Sequence, residues 1–531
     1  MLTNSNKLLG TGLLCSLALL PASAQAQSAT GEGDWTSYNR TLRSDRHSPL
    51  TQITTANVNS LRPVCSAELG VPAAFASGII VADNTLFVTT QVATYAFDPA
   101  TCEQKWKHAL AFTPAPGHLN TSRGAVYADG KLYRGSDDGH LVAIDAATGK
   151  EAWRTKAADF ARSESLSAAP VIWNGTVFIG TAGGDYFGNR GRMMAFRQSD
   201  GQPLWSFDLV PLTGPGSETW PASTPEVPRQ GGGSYSSYTI DVDKGLVYVG
   251  TGNPGPDWDK KSRPGLNLYT SSVVALDARS GAFRGYYQLD PNGYHDWNLA
   301  AAPSLVRTAG GKNLVLAAGK DGYVHGLDQE SLKPIYKTAV TTISNIKAPF
   351  NSTRNTRFCP GTHGGVQYNG PSFNPAENAV FVNSVDWCVS IKLAPQIPAP
   401  GVVGEPYTGG VEDAKFGTDD PKSKWGGWLT ALDADTGAIK WKYKSPTPLL
   451  AGVTTTASGL VLTGDLNGSM MAFDARSGKQ LWKHNAGAPI GGGVITYLAG
   501  GKQYIAGAVG HTSGNWKTTG GNAKVAVYAM P

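Results

Sequence analysis

Hydrophobic and polar positions alternate along this chain in short runs that break at glycine-containing turns, and no long stretch keeps a helical period. Leu132 to Gly139, Val315 to Gly322 and Val461 to Gly468 each read as a strand running into a tight turn. A nine-residue phrase keeps returning beside such runs: an Asp, a Gly four residues on and a Trp eight residues after the Asp. It reads Asp145 to Trp153 around Gly149, Asp433 to Trp441 around Gly437, and Asp474 to Trp482 around Gly478. Weaker copies lie at Asp98 to Trp106 with Cys102 in the Gly position, at Phe196 to Trp205, at Asp277 to Tyr286 and at Asp328 to Tyr336.

Each unit is strand, turn, strand, turn, strand, with the Asp and Gly supplying an Asx-type turn and a positive-φ position. One such sheet cannot bury both faces, so units recurring every 40 to 50 residues must stack, the signature of a β-propeller. About eight units predict an all-β, eight-bladed ring over residues 27–531, with the aromatic residue of each phrase docked between blades. Glycine at 65 of 531 residues and a charged fraction of 16% suit that turn-rich class. The Pro- and Gly-rich stretch from Pro395 to Ser423 reads as an excursion over one face of the ring or as a mobile insert.

Residues 1–26 read as a secretory signal: Lys7, an apolar run from Leu8 to Leu20, then small-residue cleavage options at Ala22 to Ala26. That run is too short for a membrane span, so a soluble, periplasmic chain is expected. Export places Cys65, Cys102, Cys359 and Cys388 in an oxidising compartment, where four cysteines allow three pairings. Sequence neighbours, Cys65 with Cys102 and Cys359 with Cys388, are the simplest of these. There is no Cys-x-x-Cys-His haem motif, and a net charge of +5 without a basic run argues against nucleic acid.

Insertions in the middle units carry polar residues that a bland repeat does not need: Gly183 to Gly191, Gly231 to Ser237, Val247 to Pro256, Asn267 to Ser272, Tyr294 to Asn298, and Lys320 to Gly322. Together with Asp34 to Thr51, Trp425 to Asp433 and Gly501 to Tyr504, the Gly252-Asn253-Pro254-Gly255-Pro256 and Asn267-Leu268-Tyr269 segments resemble the pyrroloquinoline quinone-dependent alcohol dehydrogenases. The likeness runs over nearly the whole mature chain, nearest to an outlying, polyvinyl alcohol dehydrogenase-like branch without a haem domain.

That resemblance implies an eight-bladed propeller with pyrroloquinoline quinone (PQQ) and Ca²⁺ on its axis. It implies Asp185, Asn253 and Asp296 as metal ligands, and Arg123, Tyr235, Lys320 and Gly184 as cofactor contacts. Many relatives have adjacent cysteines where this chain has Gly117-His118, and a Trp where Tyr235 is the nearest aromatic. The family's base Asp falls on Asn298, which cannot accept a proton, so the catalytic set is read as Asp296 for the base, Lys320 and Asn298. Ala300 stands where lanthanide-using relatives carry an extra Asp, which favours Ca²⁺. The implied activity is oxidation of an alcohol, small or polymeric, by hydride transfer to the quinone, with electrons passed to a separate soluble cytochrome c. The alternative is a non-enzymatic propeller scaffold of the outer-membrane assembly type.

Overall fold

The computed structural model describes residues 1–2, 31–112, 121–225, 228–397 and 401–531. The signal at 1–26, almost all of it, and Gly117-His118 therefore lie outside the described residues. The alternating runs form eight four-stranded antiparallel blades arranged as a ring. Blades 1 to 5 span residues 80–109, 125–156, 171–208, 239–288 and 304–339, and blades 6 and 7 span 372–445 and 454–485. Blade 8 takes three strands from 490–529 and its outermost strand, Arg62–Glu68, from the other end of the chain. Pairing Arg62–Glu68 with Lys524–Ala529 closes the ring, leaving no open sheet edge at the junction.

The repeated phrase explains how blades stack. The Trp106 ring lies 2.7 Å from where a Cβ on Gly149 would sit, and Trp153, Trp205 and Trp441 stand equally close to Gly201, Gly281 and Gly478. Only glycine leaves room for the ring, and each of these glycines has a φ near +72° that disfavours a side chain anyway. The indoles also satisfy their donors: Nε1 of Trp106, Trp153, Trp205 and Trp441 donates to the carbonyls of Ala146, Gln198, Ala278 and Ala475 in the next blade. The Tyr336 ring packs on Gly437 likewise, though its hydroxyl makes no hydrogen bond among the described residues.

Three seams depart from the rule. Between blades 7 and 8 Trp482, expected to dock, meets no glycine among the described residues and packs edge-on to Tyr528 with ring centroids 5.2 Å apart. The Asp277 unit was expected to end in a docking Tyr286, but Tyr286 is exposed, and the position opposite Ala275, beside the strand bulge, belongs to Gly285. There the dock is inverted. Leu332, in the turn position that elsewhere holds Gly and at a φ of 55°, packs its side chain against Gly285. At the closing seam Cys65 follows the bulge of its strand, where the docking Trp stands in other blades, and Cys102 holds the Gly position at a φ of 62°. Cys65 and Cys102 are joined, so a covalent bond replaces the aromatic dock where the chain ends meet. Cys359 pairs with Cys388, and both neighbour pairings are thus present.

The two ends of the ring's axis differ. Residues 35–48 cross one end, their carbonyls accepting from the innermost strands: Thr36 from Tyr127, Leu42 from Ile240, Arg43 from Leu305 and Asp45 from Phe373. The buried Arg46 guanidinium donates to Tyr38 and Asn39 within this strap and to the carbonyl of Val453 at the start of blade 7. The other end is lined by the segments that enter the innermost strands and by the loops joining second to third strands. Over it lies the stretch from residue 401 to Ser423, tied down by Phe187 N–H to Glu405, Tyr407 N–H to Asp185 and Trp258 N–H to Thr408. The excursion over one face is therefore packed. No helix among the described residues is long and apolar enough to cross a membrane.

The closing seam generates a prediction. Replacing Cys65 and Cys102 together by Ser is expected to lower the unfolding free energy by about 3–4 kcal/mol, read by urea denaturation. Amide exchange should accelerate first in Arg62–Glu68, the strand that the bridge holds in place. Unchanged protection there would mean that strand pairing alone holds the ring shut.

Candidate functional site

A cavity of about 500 Å³ opens on the axis at the loop-bearing end. Gly184, Asp185, Tyr235, Asn253, Asp296, Asn298, Lys320 and Arg123 all line it, so the ring brings together every site residue inferred from the sequence. They arrive from four consecutive blades, 2 to 5, and the blade order sets their places around the axis.

Asp185 follows Gly183 and Gly184 in the second-to-third strand loop of blade 3. A Cβ on Gly184 would fall 3.1 Å from the Gly233 nitrogen, so this loop must stay bare to press against the entry segment of blade 4. Asn253 enters from blade 4, with its backbone N–H held 2.7 Å from Asn298 Oδ1. Asn298 turns its Nδ2 to Asp296 Oδ1 at 3.2 Å, and Asp296 Oδ2 accepts from Lys320 Nζ at 2.9 Å. Lys320 N–H in turn donates to the Asn298 carbonyl. Asn298 thus ties the Asn253 loop to Asp296.

Asp296 sits at a φ of 58° in a buried loop. An aromatic clamp holds that loop: His295 stacks on Trp297 with centroids 4.2 Å apart, and Phe358 packs edge-on to His295 at 4.8 Å. Trp297 Nε1 donates to the Pro360 carbonyl. Burial pushes the Asp296 carboxyl up to about 7, with Lys320 opposing and Asp185 reinforcing the rise. The Lys320 ammonium favours the ionised form of this carboxylate, but desolvation is the larger effect. Asp185 is raised by burial as well, against Lys320 and the Asn253 amide.

Asp257 was not foreseen. It lies four residues past Asn253, and carboxylate oxygens of Asp185, Asp257 and Asp296 lie within 4.8 Å of one another. Asp257 is raised well above the carboxylate range by burial first, then by Asp185 and Asp296. Three crowded carboxylates form a hard-oxygen donor set that suits a Ca²⁺-like cation. The signal was in the sequence, an acidic residue in the same inserted segment as Asn253, but the segment reading stopped at Pro256.

The opposite wall carries Arg123, whose guanidinium lies 3.6 Å over the Tyr368 ring, with Nε making no hydrogen bond among the described residues. Beside it Asp137 is pushed up to about 7 by burial, partly offset by Arg134. Asp137 occupies in the Ser136 to Gly139 turn the place that Lys320 holds in the Gly319 to Gly322 turn, so aligning the repeats would have found it. Tyr235 lines the cavity near both Asp185 and Asp296, whose charges add to burial in raising its hydroxyl. Arg123, Lys320 and the flat Tyr235 and Tyr368 rings suit a planar polyanion better than a neutral metabolite.

Known proteins share this architecture. A family model described as glucose/ethanol/alcohol dehydrogenase, beta-propeller domain, matches residues 35–356, and one described as outer membrane protein assembly factor BamB matches residues 426–518. The chain is 30% identical to the quinohemoprotein alcohol dehydrogenase of Comamonas testosteroni, over 90% of this chain and 72% of that protein. It is 27% identical to the lanthanide-dependent methanol dehydrogenase of Methylacidiphilum fumariolicum (strain SolV), over 88% of this chain and 82% of that one. The crystal structure of the Comamonas testosteroni enzyme matches with a TM-score of 0.83 and 26% identity, covering 94% of this chain and 80% of that chain. A europium-containing methanol dehydrogenase shares the fold, with a TM-score of 0.81 at 24% identity over 94% of this chain and 98% of its own.

The cavity wall also predicts a pH dependence of stability. Burial pushes the His511 imidazole from 6.5 down to about 4. Between those values the unfolded chain binds more protons, so His511 contributes fully above 6.5 and its contribution is lost as pH falls toward 4. Between pH 7 and pH 5 the stability of the wild type relative to His511→Gln is expected to fall by about 2 kcal/mol, read by urea unfolding of both proteins; buried carboxyls such as Asp137 act alike in the two and cancel. An equal loss in both proteins would assign it to other groups.

Proposed function

The chain belongs to the PQQ-dependent alcohol dehydrogenase family and is a quinoprotein alcohol dehydrogenase, and from that premise we propose how its own residues oxidise an alcohol. The observation that carries the proposal is the convergence of Asp296, Lys320, Asp185, Asn253 and Arg123 on one axial cavity with flat aromatic walls. Tyr235, Arg123 and Lys320 would hold PQQ, and Asp185, Asn253 and Asp296 would hold a cation. When bound, the quinone supplies the hydride acceptor and the cation the Lewis acid that polarises it.

Asp296 removes the hydroxyl proton from the alcohol at a carboxylate oxygen as hydride leaves the carbinol carbon, giving an aldehyde or ketone. The Lys320 ammonium, 2.9 Å from Asp296 Oδ2, stabilises negative charge on the reacting oxygens. Asn298 is not the base; its amide fixes Asp296 and the Asn253 backbone in mutual register. The segment over Asp185 and Trp258 shields the cavity from water, which strengthens these charge interactions. The two electrons then leave to an external acceptor, for which a soluble cytochrome c is the reading, in the periplasm once residues 1–26 have been removed.

Ca²⁺ and a lanthanide both occur among such enzymes, since one relative is named lanthanide-dependent. Ca²⁺ follows from Ala300 and from counting two carboxylates; Asp257 supplies a third from another loop. The scaffold alternative accounts for the match at residues 426–518 and not for the charged cavity.

Metal-free protein given PQQ and cation should gain a cofactor absorbance and dye-linked oxidation across a panel of primary, secondary, polymeric and aromatic alcohols; a scaffold would gain neither. Asp296→Asn is expected to lower kcat by about 10² to 10⁴ with quinone binding nearly intact. Asn298→Ala should cost less, through misplacement of Asp296. Wild-type kcat in Asp296→Asn would place the base elsewhere.

A further inference from the structure

Asp257 has no role in the reaction as set out above, yet it is 1% exposed and its Oδ2 makes no hydrogen bond among the described residues. Its Oδ1 accepts from Asn253 Nδ2 at 2.9 Å, so Asn253 ties Asp257 into the cluster. The nearest cation, Arg263, donates to the carbonyls of Pro256, Asp257 and Gly293 and to Asn267 Oδ1, so its hydrogen bonds go to the loop and not to the Asp257 carboxylate. The loop is pinned on its far side, where Trp258 donates from N–H to Thr408 and from Nε1 to Lys415. Asp257 therefore cannot swing out to water. A buried carboxylate oxygen without a hydrogen bond is expensive, and Arg263 and Lys320 act on Asp257 only through space, too weakly to offset burial and the two neighbouring carboxylates.

Three carboxylates face the cluster, and Lys320 offsets one of them at Asp296. Two negative charges remain before an anionic cofactor adds its own. A trivalent lanthanide takes the same hard oxygen ligands as Ca²⁺ at nearly the same radius, but carries one more charge, and each added carboxylate raises its affinity more than that of the divalent ion. We infer that Asp257 is a metal ligand and that it sets the site's preference for a trivalent lanthanide over Ca²⁺. This rests on the cation reading at Asp185, Asn253 and Asp296, and adds to it both a ligand and a charge class.

The indoles of Trp258 and Trp297, each next in sequence to a ligand, supply a readout independent of turnover, because bound Tb³⁺ is excited through nearby tryptophan. Chelator-treated full-length protein is titrated with Tb³⁺, and Ca²⁺ is then added in competition, for the wild type, Asp257→Asn and Asp185→Ala. Asp257→Asn is expected to weaken Tb³⁺ binding about 100-fold and Ca²⁺ binding about 10-fold, and luminescence decay in H₂O against D₂O should show added water on the ion. Equal losses for the two ions, or none, would overturn the charge-selecting role of Asp257 while leaving the cation reading in place. If neither ion binds the wild type, or if Asp185→Ala binds as well as the wild type, the cation reading itself fails and the inference falls with it. Should Asp257→Asn fail to fold, wild-type protein loaded from equimolar La³⁺ and Ca²⁺ decides by mass spectrometry: bound La³⁺ supports the inference, and Ca²⁺ alone overturns it.

Discussion

The stacking of an aromatic ring on a bare glycine is the interaction from which the rest of this molecule follows. It requires a Trp or Tyr at the end of one blade and a positive-φ glycine in the next, and each dock removes a large apolar face from water while satisfying the indole donor. Because the same contact recurs at a fixed offset, successive blades keep a nearly constant rotation, and the ring closes. Where the pattern changes, the contact is conserved by other means. Leu332 fills the space over Gly285, and the Cys65–Cys102 bond holds the seam at which the two ends of the chain must meet.

Closure makes the axis a meeting point for loops that are far apart in sequence. One end is spanned by residues 35–48, whose carbonyls take hydrogen bonds from the innermost strands. The other end collects the inserted loops, and the segment from residue 401 to Ser423 covers them. The structural and chemical ends of the ring are thereby separated, so that insertions can build a site without disturbing the docks.

At the chemical end the rigidity of the ring is spent on holding like charges together. Asp185, Asp257 and Asp296 would repel one another apart on a flexible scaffold. Here the aromatic clamp on His295 and Trp297, the ties on Trp258 and the hydrogen bonds of Asn298 keep them in place. Lys320 alone does not balance them, and the Arg123 guanidinium stands across the cavity over the Tyr368 ring.

The sequence by itself determined what is local or periodic. The docking phrase announced the blades because each turn and each strand depends on neighbours within about ten residues, and the resemblance located Asp185, Asn253, Asp296 and Lys320 because they lie on inserted segments that stand out from the repeat. It misplaced the dock at Tyr286, since a one-residue difference around a strand bulge is invisible without the pairing register. Asp257 and Asp137 left a signal in the sequence, but that they join the site, like the contact of Arg123 with Tyr368, was decided only by tertiary structure. Whether such a side chain faces solvent or the axis depends on ring closure, which brings residues hundreds of positions apart within a few ångströms, and a linear pattern carries no measure of that distance.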